Sequence, residues 1–194
     1  MLKSFSKISV VFLIFLYSTN LFSFELSKPD IFIDENRNSI LVMLLVEGDL
    51  PQNLENLLVR NIDLNVIFNV RLIRKDFGIL NVQTEITNIL VSYKVYYDLL
   101  FKRIVVYNDG YFKVIDKLSS LPVVISPLLF KIKLDELKNN PDFYEVYQDT
   151  KFFISVQASI VYMKLKPPLS LIASVLGMGN IETPVVYSEE FKLR

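Results

Sequence analysis

The 194-residue chain has no cysteine, no histidine and no tryptophan. Without cysteine there is no disulfide, no thiolate metal ligand and no thiol nucleophile, and nothing on which a bacterial lipoprotein signal could be processed. Without histidine the chain lacks the commonest general base near neutral pH and the commonest transition-metal ligand. Five glycines and eight prolines are too few for a low-complexity chain. Neither sign of charge prevails: 21 basic residues stand against 21 acidic ones, scattered along the sequence without a basic stripe. Nucleic acid is therefore not an expected partner, because phosphate binding needs a concentrated positive surface to displace counterions.

What the chain does have is apolar material, with 52% hydrophobic and 22% charged residues. That composition predicts a packed core, not disorder, and a single domain of this length buries roughly 70% of the surface its unfolded chain exposes. The hydrophobic residues divide into two zones. Residues 1–23 open with Lys3 and Lys7, run through Ile8-Ser9-Val10-Val11-Phe12-Leu13-Ile14-Phe15-Leu16-Tyr17, and turn polar at Ser18, Thr19 and Asn20. A short positive region, an apolar run and a polar end make up the layout of a secretory signal peptide. The run is short for a spanning helix, which needs about 20 apolar residues. Ser23 is small enough to precede a cleavage point, although Leu21 stands where alanine is favoured, so cleavage is expected after Ser23. An uncleaved signal anchor, with the domain facing the periplasm from the inner membrane, is the second reading; an ordinary buried helix is the third. Cleavage would remove Lys3 and Lys7 and leave the domain slightly acidic.

From Phe24 onward the prevailing period is two, the signature of half-buried strands. In Ile62–Lys75, Ile62, Leu64, Val66, Phe68, Val70 and Leu72 face one way, with Asp63, Asn65, Asn69 and Arg71 opposite. Thr87–Tyr97 repeats the pattern, setting Ile89, Val91, Tyr93, Val95 and Tyr97 against Asn88, Ser92 and Lys94. Phe152–Leu165 places Ile154, Val156, Ala158, Ile160 and Tyr162 inward; its other face turns apolar at Val161 and Met163, which predicts a bulge or burial on both sides. Asp34–Asn38 reads as the turn of a hairpin between Ile31–Ile33 and Ile40–Val46. Asn108-Asp109-Gly110 joins Ile104–Tyr107 to Tyr111–Ile115, and Asp-Gly between β-rich runs is a strong hairpin signal. Asn139-Asn140-Pro141-Asp142 is a further break. Pro51–Arg60 reads as a helix, with Pro at a first-turn position, leucines at 54, 57 and 58, and Asn61 suited to a left-handed C-terminus. Asp116–Ser126 predicts a second short helix, bounded by Pro122 and Pro127. Leu169–Leu176 fits a short buried helix and an exposed apolar loop equally well. The expected fold is mainly β: an antiparallel sandwich or curled sheet of seven or eight strands with one or two short helices, forming a single domain over residues 24–194.

The order of these elements resembles the bacterial domain-of-unknown-function family 4390. The run Gly48-Asp49-Leu50-Pro51 with Leu54, Leu57, Leu58, Asn61, Ile62 and Leu64 is similar to that family's opening, and Val66–Arg74 to its first alternating strand. Val91–Asp98 with Phe101 and Ile104–Val106 resembles its central hairpin. Phe152–Leu165 followed by Pro167-Pro168-Leu169 resembles its late strand. The likeness spans residues 28–194. It departs at Asn61, where the family often has glycine, and in the missing tryptophans that the family places around Phe77 and near the C-terminus. It implies an exported or membrane-anchored protein of Gram-negative bacteria, and it carries over no catalytic residue.

Candidate chemistry is sparse. Gly177-Met178-Gly179 begins a dinucleotide fingerprint, but Glu182 stands where the third glycine is required; no cofactor is expected. Glu189 and Glu190 are adjacent, and neighbours on a strand point to opposite faces, unlike a glycosidase pair. Ser92 and Lys94 share a face, but a polar one, where water keeps a lysine charged. Asp34-Glu35-Asn36 lacks the alternating ligands and the glycine of a calcium loop. The remaining feature is aromatic: Tyr93, Tyr96, Tyr97, Phe101, Tyr107, Tyr111 and Phe112 crowd one stretch. Inward members of such a set serve the core, whereas outward members such as Tyr96 suit an interaction surface. Tyr93, Tyr96, Tyr97, Phe101, Tyr107 and Tyr111 are the expected surface residues. The expected function is a non-catalytic envelope interaction domain that takes a protein partner through a strand edge or this surface. Carriage of a lipid or other apolar ligand under Leu169–Leu176 is the alternative, and an enzyme is third.

Overall fold

The computed structural model describes residues 24–34, 38–50, 52–75, 83–137, 140, 143, 150–162 and 181–193. In chain order these form β1 (Glu25–Leu26), β2 (Asp30–Asp34), β3 (Ser39–Leu44), β4 (Val46–Glu47), α1 (Gln52–Val59), β5 (Leu64–Lys75), β6 (Gln83–Asp98), β7 (Arg103–Asn108) and β8 (Tyr111–Ile115). A 3-10 turn (Leu118–Ser120), α2 (Leu121–Ile125), β9 (Leu128–Lys133), α3 (Leu134–Leu137), β10 (Lys151–Tyr162), β11 (Ile181–Glu182) and β12 (Val186–Tyr187) follow. The chain is mostly β, with antiparallel sheets and a few short helices. Among the described residues the helices number one more than expected, with α3, and there are more strand pieces, because several are only two residues long.

The three most regular alternations in the sequence lie side by side. A seven-stranded antiparallel sheet runs β11-β10-β5-β6-β7-β8, with β12 also paired to β10. β5 and β10 stay in unbroken register from Lys75↔Lys151 to Leu64↔Tyr162, so the described part of β10 has no bulge, and Met163–Leu165 lie outside the described residues. It is in β6: Leu72 pairs with Thr87 but Ile73 with Glu85, and the extra residue, Ile86, is buried. Burial on both faces does occur in β10, at Phe153 and Ser155, towards its start and not at Val161.

A second sheet, β2-β3-β9, supplies Ile40, Val42 and Leu44 paired across to Ile132, Phe130 and Leu128. All six belong to one buried cluster with Leu64, Val66, Phe68, Val70 and Leu72 of β5 and Ile154, Val156, Ala158 and Ile160 of β10. Two layers of strands thus share a single core, the sandwich solution to sheets that are apolar on one face. α1 adds Leu54, Leu57 and Leu58 to it. The helix stops where the sequence indicated: Asn61 takes φ 63°, its N–H bonds Leu58 O at 2.8 Å, and Ile62 N–H bonds Leu57 O at 3.0 Å. This pair of bonds satisfies carbonyls that the helix end would leave open. No helix among the described residues is long and apolar enough to cross a membrane. Residues 1–23, Gly177-Met178-Gly179 and the Leu169–Leu176 segment lie outside the described residues.

Candidate functional site

A sheet edge offers unpaired N–H and C=O groups, and folded proteins blunt such edges with short strands, proline and charge. One side of the large sheet is closed in this way. Along β10, β11 and β12 are two-residue pieces separated by Pro184, with Glu182, Glu189 and Glu190 around them. Between them side chains stand in for backbone: Ala158 N–H donates to Thr183 Oγ1 at 3.0 Å, and Ile154 N–H to Ser188 Oγ at 2.9 Å. Phe152 and Phe191 then exchange two main-chain bonds of 2.8 Å. In the smaller sheet, β2 begins and ends in aspartate, and β9 exposes Lys131 and Lys133.

The other side of the large sheet is β8, which among the described residues pairs only with β7. Its turn, Asp109 at φ 42° and Gly110 at φ 87°, has both central residues left-handed, the geometry that a two-residue hairpin favours. Asn108 and Tyr111 flank the turn as partners, followed by Val106↔Lys113 and Ile104↔Ile115. Residues flanking such a turn exchange hydrogen bonds, and bonded and non-bonded pairs then alternate. Phe112 and Val114 therefore direct their N–H and C=O groups away from β7, along the open edge.

The side chains of Phe112 and Val114 also lie on the outer face of the sheet, opposite Tyr107 and Val105, and Tyr96 is next in line on β6. Phe112 is 71% exposed and Val114 45%. Together with Phe101 and Arg103 they line an open cleft of about 360 Å³. Lys94 stands above Tyr96, its ammonium 5.4 Å from the ring centre, and pairs with Asp63 at 2.9 Å. Under the inner face of the same edge is a second open cleft of about 350 Å³, bordered by Tyr93, Tyr111, Lys113, Val124 and Pro127. There the Lys113 ammonium donates to Val124 O at 3.0 Å.

The expected aromatic surface therefore splits. Tyr93 and Tyr97 turn to the core face: both pack against the buried cluster, and Tyr93 meets Phe68 edge-on at 5.9 Å. Burial raises the Tyr93 hydroxyl above its ordinary pKa. Tyr96, Phe101 and Tyr107 belong to the outer side, and Tyr111 stands at the rim of the inner cleft. A period of two already separates 93 and 97 from 96, so they do not form one patch. Phe112 joins the outer group, and Val105 and Val114 complete it.

The other candidates resolve into structural roles. Glu189 pairs with Lys28 at 2.7 Å, while Glu190 bridges Lys75 and Lys151. Both carboxyls are held below the usual carboxylate range by hydrogen bonds from those lysines. The two point to different partners and share no site. Among the described residues, no group of side chains could hold a metal ion. The buried polar residues Ser39, Thr150, Ser155 and Thr183 line none of the described clefts. No family model matches the chain, and neither does any curated protein or solved structure.

Proposed function

We propose that this is an exported, non-catalytic interaction domain that binds a protein partner of the cell envelope by accepting an extended segment along β8. The observation that carries the reading is an asymmetry of edges. Short pieces, proline and acids close the β10 side, aspartates flank β2 and lysines stud β9, whereas β8 leaves Phe112 and Val114 with outward main-chain groups and exposed apolar side chains. Strand addition uses both features: main-chain bonds supply affinity and side-chain surfaces choose the partner. The outer face offers Tyr96, Tyr107, Phe112 and Val114 for that choice.

Carriage of an apolar ligand would require an enclosed cavity between the layers. Leu54, Leu58, Phe68 and Leu72 are fully buried there, and the described clefts open to solvent, which favours the interaction reading. The layout of residues 1–23 and the resemblance to an exported family support the placement beyond the inner membrane, whether the segment is cleaved or kept as an anchor.

The test is site-specific photocrosslinking in the native envelope. A photoreactive phenylalanine analogue at position 112 is expected to trap a discrete partner, and the same analogue at Val59, exposed on α1, is not. Val114→Pro, which removes an outward N–H without touching a β7 bond, should weaken adduct formation roughly two- to tenfold while the far-ultraviolet dichroism stays unchanged. Adduct formation undiminished by Val114→Pro in a folded protein would refute strand addition. Protection of the tagged domain from protease in intact cells, and digestion once the outer membrane is opened, is the result expected for export.

A further inference from the structure

The turn between β6 and β7 is built differently from the turn between β7 and β8. It reads Leu99-Leu100-Phe101-Lys102, and its first three side chains are 62%, 89% and 71% exposed. Three consecutive exposed apolar residues are a fault in a soluble surface unless they serve a purpose. This loop is also held in shape. Asp98 Oδ1 accepts the N–H of Leu100 at 2.9 Å and of Phe101 at 3.2 Å, and Lys102 closes the turn at φ 52°. The apolar residues are thus presented, not tucked in. Lys102 and Arg103 follow them directly and are exposed, and Asp98, which pairs across from Arg103, has its Oδ1 engaged by the loop's own backbone.

We propose that the β6–β7 tip inserts into an anionic lipid surface, with Leu99, Leu100 and Phe101 entering the acyl boundary and Lys102 and Arg103 meeting the headgroups. Two features favour lipid over a protein partner. The residues project from the end of a hairpin, and a bilayer moulds itself around a convex apolar tip without a matching pocket. Basic residues immediately behind the tip match the negative charge of phosphatidylglycerol surfaces. Phe101 and Arg103 also border the outer cleft beside β8, whereas Leu99 and Leu100 line neither cleft, so a probe at position 100 reads lipid insertion separately from strand addition.

The absence of tryptophan provides a clean probe. In the full-length chain, Leu100→Trp introduces a unique indole at the tip, and Phe32→Trp places one on an exposed strand of the other sheet. On vesicles of phosphatidylglycerol and phosphatidylethanolamine, the indole at position 100 is expected to shift to the blue and to be quenched by brominated acyl chains. The indole at position 32 should do neither, whatever residues 1–23 contribute to attachment. Lys102→Glu or high salt should reverse the shift. Leu100→Asp should lower the vesicle affinity of the otherwise unaltered chain roughly tenfold or more, the loss of one buried leucine. Unchanged emission at position 100 on anionic vesicles would overturn the proposal, as would equal shifts at positions 100 and 32. A shift that ignores both salt and Lys102→Glu would also overturn it, because headgroup charge would then have no part.

Discussion

Thr183 tests most sharply how the β10 side of the large sheet is closed. Its hydroxyl accepts the N–H of Ala158 at 3.0 Å and lies 3.3 Å from the same residue's carbonyl, to which it donates. Its own N–H bonds that carbonyl at 2.9 Å. Thr183 is 5% exposed and Ala158 is wholly buried, so water cannot substitute for the hydroxyl. Thr183→Val keeps the shape and removes the acceptor. A buried donor left unsatisfied costs about 1–3 kcal/mol, and the methyl that replaces the hydroxyl returns up to about 0.8 kcal/mol. The expected net loss is about 1–2 kcal/mol. For a chain of this size, each kcal/mol lowers the melting temperature by about 2–4 °C. Thr183→Val should therefore melt about 2–8 °C below the parent. The Ala158 amide should lose protection in hydrogen exchange while that of Phe152, bonded to Phe191 O, keeps it. Thr183→Ser retains the hydroxyl and should preserve the protection at Ala158. If Thr183→Val melts with the parent, or if serine and valine cost the same, side-chain closure of this edge is wrong.

Two further outcomes follow from the same geometry. Gly110 sits at φ 87° with open space where a Cβ would project, so Gly110→Ala should cost only the left-handed backbone penalty, about 1–2 kcal/mol in urea denaturation; no cost at all would rule out the turn as described. Hydrogen bonds from Lys75 and then Lys151 hold Glu190 below its ordinary pKa. A depressed carboxylate contributes its stability above the unfolded-state pKa and loses it as pH falls through the folded value. Glu190→Gln should accordingly lower the urea midpoint slightly at neutral pH and not at all in strong acid, and a deficit that persists in acid would assign Glu190 another role.

Much of this fold is legible in the sequence because long strands repeat. β5 and β10 each alternate through enough residues for their inner faces to be assigned one by one, and the Asp109-Gly110 turn fixes its hairpin through backbone chemistry alone. Asn61 signals the end of α1 for the same reason. What escapes is short. β11 and β12 are two residues each and have no period to detect, and the closure they make depends on Thr183 and Ser188 hydroxyls whose partners lie 25 and 34 residues away. β9 alternates but has no turn signal of its own, and α3 is a single helical turn. The bulge at Ile86 is hidden as well, since it is visible only once β5 supplies the register.

The site was half legible for a related reason. Aromatic density marked the right stretch, and a period of two separated Tyr93 and Tyr97 from Tyr96. In β8, however, Tyr111, Phe112, Val114 and Ile115 are apolar on both faces, so alternation cannot say which ones reach the outer patch. The turn register decides it, and the same register decides which main-chain groups are free. That distinction bears on where selectivity would reside. An added strand meets two N–H and two C=O groups, at Phe112 and Val114. At about 0.5–1.5 kcal/mol net for each bond, they supply roughly 2–6 kcal/mol. Association itself costs an estimated 4–15 kcal/mol or more in lost translational and rotational freedom. Backbone pairing along so short an edge would therefore not hold a partner alone. The balance has to come from covering Tyr96, Tyr107, Phe112 and Val114, so discrimination between partners falls to the side chains that land on the outer face.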